Sequence, residues 1–232
     1  MKALVGKFVE IRSDRELKGL LWATAYGFCI MLGYYILRAV RDEISSADRG
    51  NLQILWTAVF FVMLLAVPLY SWVASKWSRG VFVPLANRFF IACLVAFWFS
   101  LFLLPDAARP WIDRVFYVWT SVFALFVVTV FWGFMADCFD SSQSKRLFAF
   151  IAVGSSVGGM LGSTITAVLA QLIPTFSLLL IACVPLEIAS WCARVLHRNF
   201  ETGNVRQAGE SQRAVAGNAW TGMRVVFASP YL

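Results

Sequence analysis

Four side chains at the end of a long apolar run have the types and spacing to act together: Tyr34, Arg38, Arg41 and Asp42. In a helix, steps of three and four residues line up Tyr34, Arg38 and Arg41 on one face, and Asp42 lies one turn beyond Arg38. Such a stripe could grip an anion at the mouth of a membrane pathway. The same residues also suit an interfacial belt, in which tyrosine rings and snorkelling arginines sit among lipid headgroups at a helix end.

A second set of ionisable residues lies within or beside other apolar runs. Glu187 follows Pro185 about ten residues before His197; at 1.5 Å per helical residue it is about 15 Å inside, near the midplane of a bilayer. An ionised group at that depth costs about 2.5–3.5 kcal/mol on insertion scales, so it should face a cavity, be paired, or be protonated. Glu187 is therefore either a coupling site for protons or substrate, or a fixed partner of another helix, with Arg88 as one such partner. Asp137, with Asp140, Lys145 and Arg146, reads either as a charge cluster gating the inner ends of helices or as a solvated loop.

Hydrolytic chemistry finds no support in the sequence. Gly154, Ser156 and Gly158 spell the G-x-S-x-G of a nucleophile elbow, but that motif needs a strand-turn-helix setting and a histidine partner. Here the letters fall inside a continuous apolar run, and the single histidine, His197, sits among Arg194 and Arg198. Gly154, Gly158 and Gly162 recur every four residues beside Ser155, Gly159 and Ser163, which makes a small-residue face for close helix packing. There is no metal-ligand cluster, no phosphate-binding glycine loop and no cofactor motif. The five cysteines are scattered without a C-x-x-C pair and read as small buried hydrophobes.

The elements that must position these residues are membrane spans. A chain that is 60% hydrophobic and 14% charged is too apolar for a soluble domain. Its net charge of +7 needs no nucleic acid, since lysine and arginine accumulate in the cytoplasmic loops of multi-span proteins. The segment 1–18 mixes acidic with basic residues and has no small-residue cleavage site, so it is not read as a cleavable signal peptide. Ser13 and Glu16 have capping-box spacing just before the first apolar run, which marks a helix start. Six spans are expected, near 17–37, 54–74, 81–104, 115–136, 147–173 and 176–196. Six spans put both termini on one side. Arg38, Arg41, Arg49, Arg109 and Arg114 would be the only basic residues on the other, so both termini are expected in the cytoplasm.

The wording of Gly33–Glu43 resembles that of a known carrier family. So does Phe131-Trp132-Gly133-Phe134-Met135-Ala136-Asp137, continuing through Gln143-Ser144-Lys145-Arg146-Leu147-Phe148 into the Gly154–Gly162 helix. These stretches look like the amino-terminal half of bacterial carriers related to the ATP/ADP translocase family, similar in build to the major facilitator superfamily. The loop at 71–80 has the basic residues of the facilitator signature without its leading glycine and aspartate. The resemblance implies an all-α carrier of twelve helices in two six-helix bundles, with substrate held between them and access alternating by rocking. It makes Arg38 and Arg41 candidate contacts for an anionic or phosphorylated substrate, whose oxygens match a guanidinium fork.

These readings divide the chain into a six-helix bundle over 1–198 and a linker over 199–232. The renewed apolar pattern at 219–227 is expected to open a truncated second half. The expected activity is secondary transport of an organic anion, with nucleotides leading, in a bacterial inner membrane and with no enzymatic step. The expected partners are the lipid bilayer, a small anionic solute, and a carboxy-terminal half or partner subunit. The alternative is a non-transporting assembly protein whose glycine face, at Gly154, Gly158 and Gly162, binds a partner helix.

Overall fold

A computed structural model describes residues 13–76 and 79–200. Among them are six helices long and apolar enough to cross a membrane. They are α1 (Asp14–Ala47), α2 (Leu52–Lys76), α3 (Arg79–Leu103), α4 (Arg109–Cys138), α5 (Ser141–Leu169) and α6 (Leu178–Phe200), with short 3-10 turns between α1 and α2, α3 and α4, and α5 and α6. Hydrocarbon offers the backbone no hydrogen-bond partners, so apolar runs of this length satisfy their own N–H and C=O groups as helices. The end of the 199–232 segment, including the apolar pattern at 219–227, lies outside the described residues.

Local chemistry sets the helix starts. Ser13 Oγ accepts the Arg15 N–H at 3.2 Å, and Asp14 and Glu16 lie in the first turn, where negative charge suits the helix dipole. At α5, Asp140 and Gln143 form a reciprocal capping box. Pro110 lies in the first turn of α4, where its missing N–H is no loss. The largest departure from the sequence-based spans is at α1, which continues ten residues past Leu37 to Ala47. The segment from Arg38 to Asp42 is thus helix and not a loop, because hydropathy marks where a helix leaves lipid and not where its backbone bonding ends.

α1 is the central element, packed along α5 and α6 and touching α4. α4 in turn packs on α2 and α3, and α3 lies along α6. Exchanging α1 with α4, α2 with α5 and α3 with α6 maps these principal contacts onto themselves. The correspondence is one of which helices touch; the seams of α1 are much the more extensive. The start of α1 and the end of α6 meet where Arg15 Nη2 donates to the Asn199 carbonyl at 3.0 Å.

The tightest seam is α1 against α5. A Cβ added at Gly158 would collide with the Phe28 carbonyl oxygen, one at Gly162 would lie 2.6 Å from the Leu32 carbonyl oxygen, and one at Gly154 would collide with Thr24. Helices do not gain from expelling water inside a bilayer, so backbone approach through small residues supplies the contact energy. This corrects one expectation: the helix seated on Gly154, Gly158 and Gly162 is α1 of the same chain, so this face is not left to recruit a partner helix. The glycines are packing residues, and Ser156 lies exposed midway along an unbroken helix.

An ion pair closes the same seam where α1 and α5 begin. Arg146 Nη2 lies 2.8 Å from Glu16 Oε1, and the Glu16 side chain is almost wholly buried. Just past the end of α1 Asp48 Oδ2 accepts from Arg114 Nε at 2.8 Å and its Oδ1 from Asn51 Nδ2 at 2.6 Å. Arg114, with the Asn51 bond, holds the Asp48 carboxyl below the usual carboxylate range.

Two predictions follow from this packing. Gly158→Ala forces Cβ into backbone and lowers bundle stability by about 1–3 kcal/mol, the usual cost of overpacking, whereas exposed Ser163→Ala stays within about 0.5 kcal/mol; unfolding in detergent, followed by tryptophan fluorescence, measures both. A depressed Asp48 carboxyl stabilises the outer turn above the unfolded carboxylate value of about 3.9, and this contribution is lost as pH falls through the lower folded value. Amide exchange at residues 48–52 should therefore rise only under acid conditions, and Asp48→Asn should abolish that dependence.

Candidate functional site

The C-terminal half of α1 carries the candidate anion site. Arg41 turns toward α4: Nη1 donates to Ser121 Oγ at 3.5 Å, and the guanidinium stands 5.2 Å from the centroid of the Tyr117 ring. The Tyr117 hydroxyl accepts from Trp56 Nε1 of α2 at 3.1 Å, which fixes that ring between three helices. From the Arg114–Asp48 pair at the rim to Ser121 is seven helical residues, so Arg41 lies about 10 Å below the rim.

Arg38 takes a different direction. Its guanidinium stands 5.5 Å from the centroid of the Tyr35 ring, and that ring rests on Gly159 of α5, where a Cβ would come within 2.8 Å. The aromatic partner expected from helical spacing was Tyr34. Tyr34 is instead half-buried against the core, with its ring 5.3 Å from that of Tyr35. Asp42 sits between the arginines, 3.6 Å from Arg38 Nε and 3.6 Å from Arg41 Nη2. Arg38, Arg41 and Asp42 thus come together, and Tyr34 does not join them.

Charge and exposure distinguish the two arginines. The Arg38 side chain is 46% exposed and Asp42 52%, so their pair contributes at most about 1 kcal/mol. Arg41 is 27% exposed, and its Nε is buried with no hydrogen-bond partner. An unmet donor on a shielded cation is expensive, and the buried Nε gains an acceptor only if the side chain turns. Two guanidiniums facing one carboxylate leave one net positive charge. The arrangement can bind an anion through a fork on Arg41, with the Ser121 hydroxyl alongside.

A separate hollow of about 350 Å³ opens on the other side of the α1 end, lined by Glu43, Arg109, Asp113, Phe116 and Phe176. Arg109 stands 5.9 Å from the Phe176 ring centroid. Glu43 belongs to this hollow, so the four charges that adjoin in sequence are divided between two sites.

Where α1 and α5 begin, a hollow of about 310 Å³ is lined by Arg15, Glu16, Asp140, Gln143 and Arg146. The gating cluster expected of Asp137, Asp140, Lys145 and Arg146 is thereby redrawn. Arg146 is tied to Glu16 of α1, Asp140 caps α5, Lys145 is exposed, and Asp137 is half-buried in the last turn of α4. Glu16, read from sequence only as a helix cap, is the acidic residue that locks α1 to α5.

Glu187 has the interhelical partner considered for it. Its Oε1 lies 3.1 Å from Arg88 Nη2 of α3 and 3.3 Å from Arg194 Nη2 one helix face along α6. This group is on the α3–α6 face, remote from Arg41. Among the described residues no His, Cys, Asp or Glu group is arranged to hold a metal ion.

Sequence reasoning missed Tyr117 and Ser121. Their signal was present: Tyr117, Thr120 and Ser121 are polar residues at helical spacing inside an apolar span, and such residues face protein or a cavity. Comparison of this chain with family models, with curated proteins and with solved structures finds no match to any of them.

Proposed function

We propose that this chain is a secondary carrier, or the amino-terminal half of one, that moves an organic anion across a membrane by alternating access. The observation that carries the reading is the charge imbalance beneath the outer rim: Arg38 and Arg41 share Asp42, and Arg41 keeps a buried donor unused. An anion reaching Arg41 gains charge-assisted hydrogen bonds without first opening a salt bridge between helices. An interfacial belt would instead direct both guanidiniums outward to headgroups, whereas Arg41 reaches sideways to Ser121 and Tyr117.

The pairing of α1–α3 with α4–α6 adds support. Inverted triplets recur in secondary transporters, whose substrate sites lie where repeats meet, and Arg41 lies at the α1–α4 contact. On this reading a second six-helix bundle faces α1, α2, α4 and α5 and completes a twelve-helix carrier of major-facilitator build. Both termini lie in the cytoplasm of a bacterial cell, and the membrane is its inner one. Nucleotides are the leading substrates, since the resemblance to ATP/ADP translocase relatives points there and phosphate oxygens suit guanidinium forks.

The test is uptake by proteoliposomes that hold the full reading frame, with labelled ADP and succinate as probes. Arg41→Ala should lower uptake of the transported probe by about tenfold or more, as expected for losing a charged hydrogen bond of about 1.5–3 kcal/mol. Arg41→Lys should recover part of it, because a lysine keeps the charge but not the fork. Unchanged uptake in Arg38→Ala and Arg41→Ala proteins that insert normally would remove these residues from the pathway.

A further inference from the structure

The Arg88–Glu187–Arg194 group lies on the outside of the bundle, away from the proposed anion site, and the transport reading makes no use of it. Its side chains are 56%, 49% and 38% exposed in that order. Glu187 is twelve residues before Asn199 and nine after Leu178, about 18 Å and 14 Å from the two ends of its span. Arg88 meets it at the same depth. These charges therefore face outward near the middle of the bilayer, where lipid tails solvate them poorly.

Snorkelling does not relieve them. Arg194 is five residues from Asn199 and within reach of the inner headgroups, yet it extends the other way, two turns back along α6, to the carboxylate oxygen that Arg88 already holds. Both guanidiniums share Glu187 Oε1, so the group keeps one net positive charge, and Arg194 Nε has no hydrogen-bond partner. Exposed Leu85, Phe89, Val184, Ile188 and Trp191 lie on the same two helices. Such a charged centre among large apolar side chains has the composition of a protein contact within the membrane, not of a lipid-facing wall.

We propose that the α3–α6 face docks a transmembrane helix of another protein that carries a carboxylate near mid-membrane depth. One such carboxylate neutralises the surplus charge that Arg88 and Arg194 leave around Glu187. A second copy of this chain fits less well, because a two-fold contact would bring two net positive faces together. This inference does not depend on the anion site.

The test reconstitutes the donor-labelled chain in phosphatidylcholine vesicles with an acceptor-labelled helix of leucine and alanine bearing one central aspartate. Energy transfer against probe density reads association. The aspartate probe should associate about tenfold more tightly than the same helix with leucine there, the scale of one interhelical charged hydrogen bond. Arg194→Leu leaves the neutral Arg88–Glu187 pair intact and should erase the preference, and Arg194→Lys should keep it. Equal association of the two probes overturns the proposal. So does displacement of the aspartate probe by phosphatidylglycerol, which would make a lipid headgroup the occupant. Transfer between two labelled copies of the chain that is lost in Arg194→Leu would make the occupant a second copy and also overturns it.

Discussion

The close approach of α1 to α5 governs where every other functional group points. In water, an amphipathic helix is oriented by the side it hides; in a bilayer both sides are equally greasy, and orientation must come from shape. Gly154, Gly158 and Gly162 accept Thr24, Phe28 and Leu32 of α1 almost at backbone distance, so α1 can neither rotate nor slide without a collision. α1 has reciprocal seats of its own, with Gly27 against Ser155 and Phe131 and Gly33 against Leu186. Fixed on three sides in this way, α1 lays Tyr35 over Gly159 and Arg38 over Tyr35, while the next turn directs Arg41 to α4.

The charges in and beside the spans are distributed by face. Glu16 and Arg146 pair at 2.8 Å where α1 and α5 begin. Asp48 and Arg114 do the same at the outer turn. Two groups differ, each with two arginines around one carboxylate: Arg38, Arg41 and Asp42 on α1, and Arg88, Arg194 and Glu187 across α3 and α6. A surplus charge in a low-dielectric setting serves no packing purpose, since a neutral pair or an apolar residue would cost less. These two surpluses are what the two proposals rest on, a small anion at the first and a partner helix at the second.

The sequence made the scaffold readable because bilayer thickness and helical rise leave few choices: an apolar run of some twenty residues is a span. The glycine spacing likewise announced a close helix contact. It did not say whose helix, since α1 offers Thr24, Phe28 and Leu32, residues with no mark of a partner. Glu187 with Arg88 was legible for an electrostatic reason, as a buried-depth acid needs a cation and Arg88 was the intramembrane one to hand. The helix face of Arg41 was harder. Tyr34, Arg38 and Arg41 align on an ideal wheel, but which ring underlies which guanidinium depends on the few degrees of rotation that Gly159 imposes through Tyr35. Glu16 was legible only in its local role: its spacing to Ser13 marks the helix start that the structure has, while its ion-pair partner Arg146 lies 130 residues away and leaves no local sign.

In the proposed carrier, rocking would demand that the six-helix body move as one piece, and the α3–α4 contact would meet that demand. Phe90, Phe97, Phe116, Trp119 and Phe123 interlock between these helices, with Trp119 and Phe123 stacked at 5.5 Å and the rest edge-on or stacked within 6 Å of a neighbour. Aromatic rings have few rotamers to exchange and fill space rigidly. α3 is joined to α6 in turn by Arg88 and by the Ser190 hydroxyl, which donates to the Pro84 carbonyl at 3.5 Å. α3 and α6 therefore behave as a brace behind α1 and α4. α2, whose packing is confined largely to α4, is the least constrained of the six. Trp56, anchored to Tyr117 beside Arg41, lies on that helix. Movement of α2 would pull on the ring beneath the Arg41 guanidinium, so the most loosely held helix is mechanically connected to the residue with an unused donor.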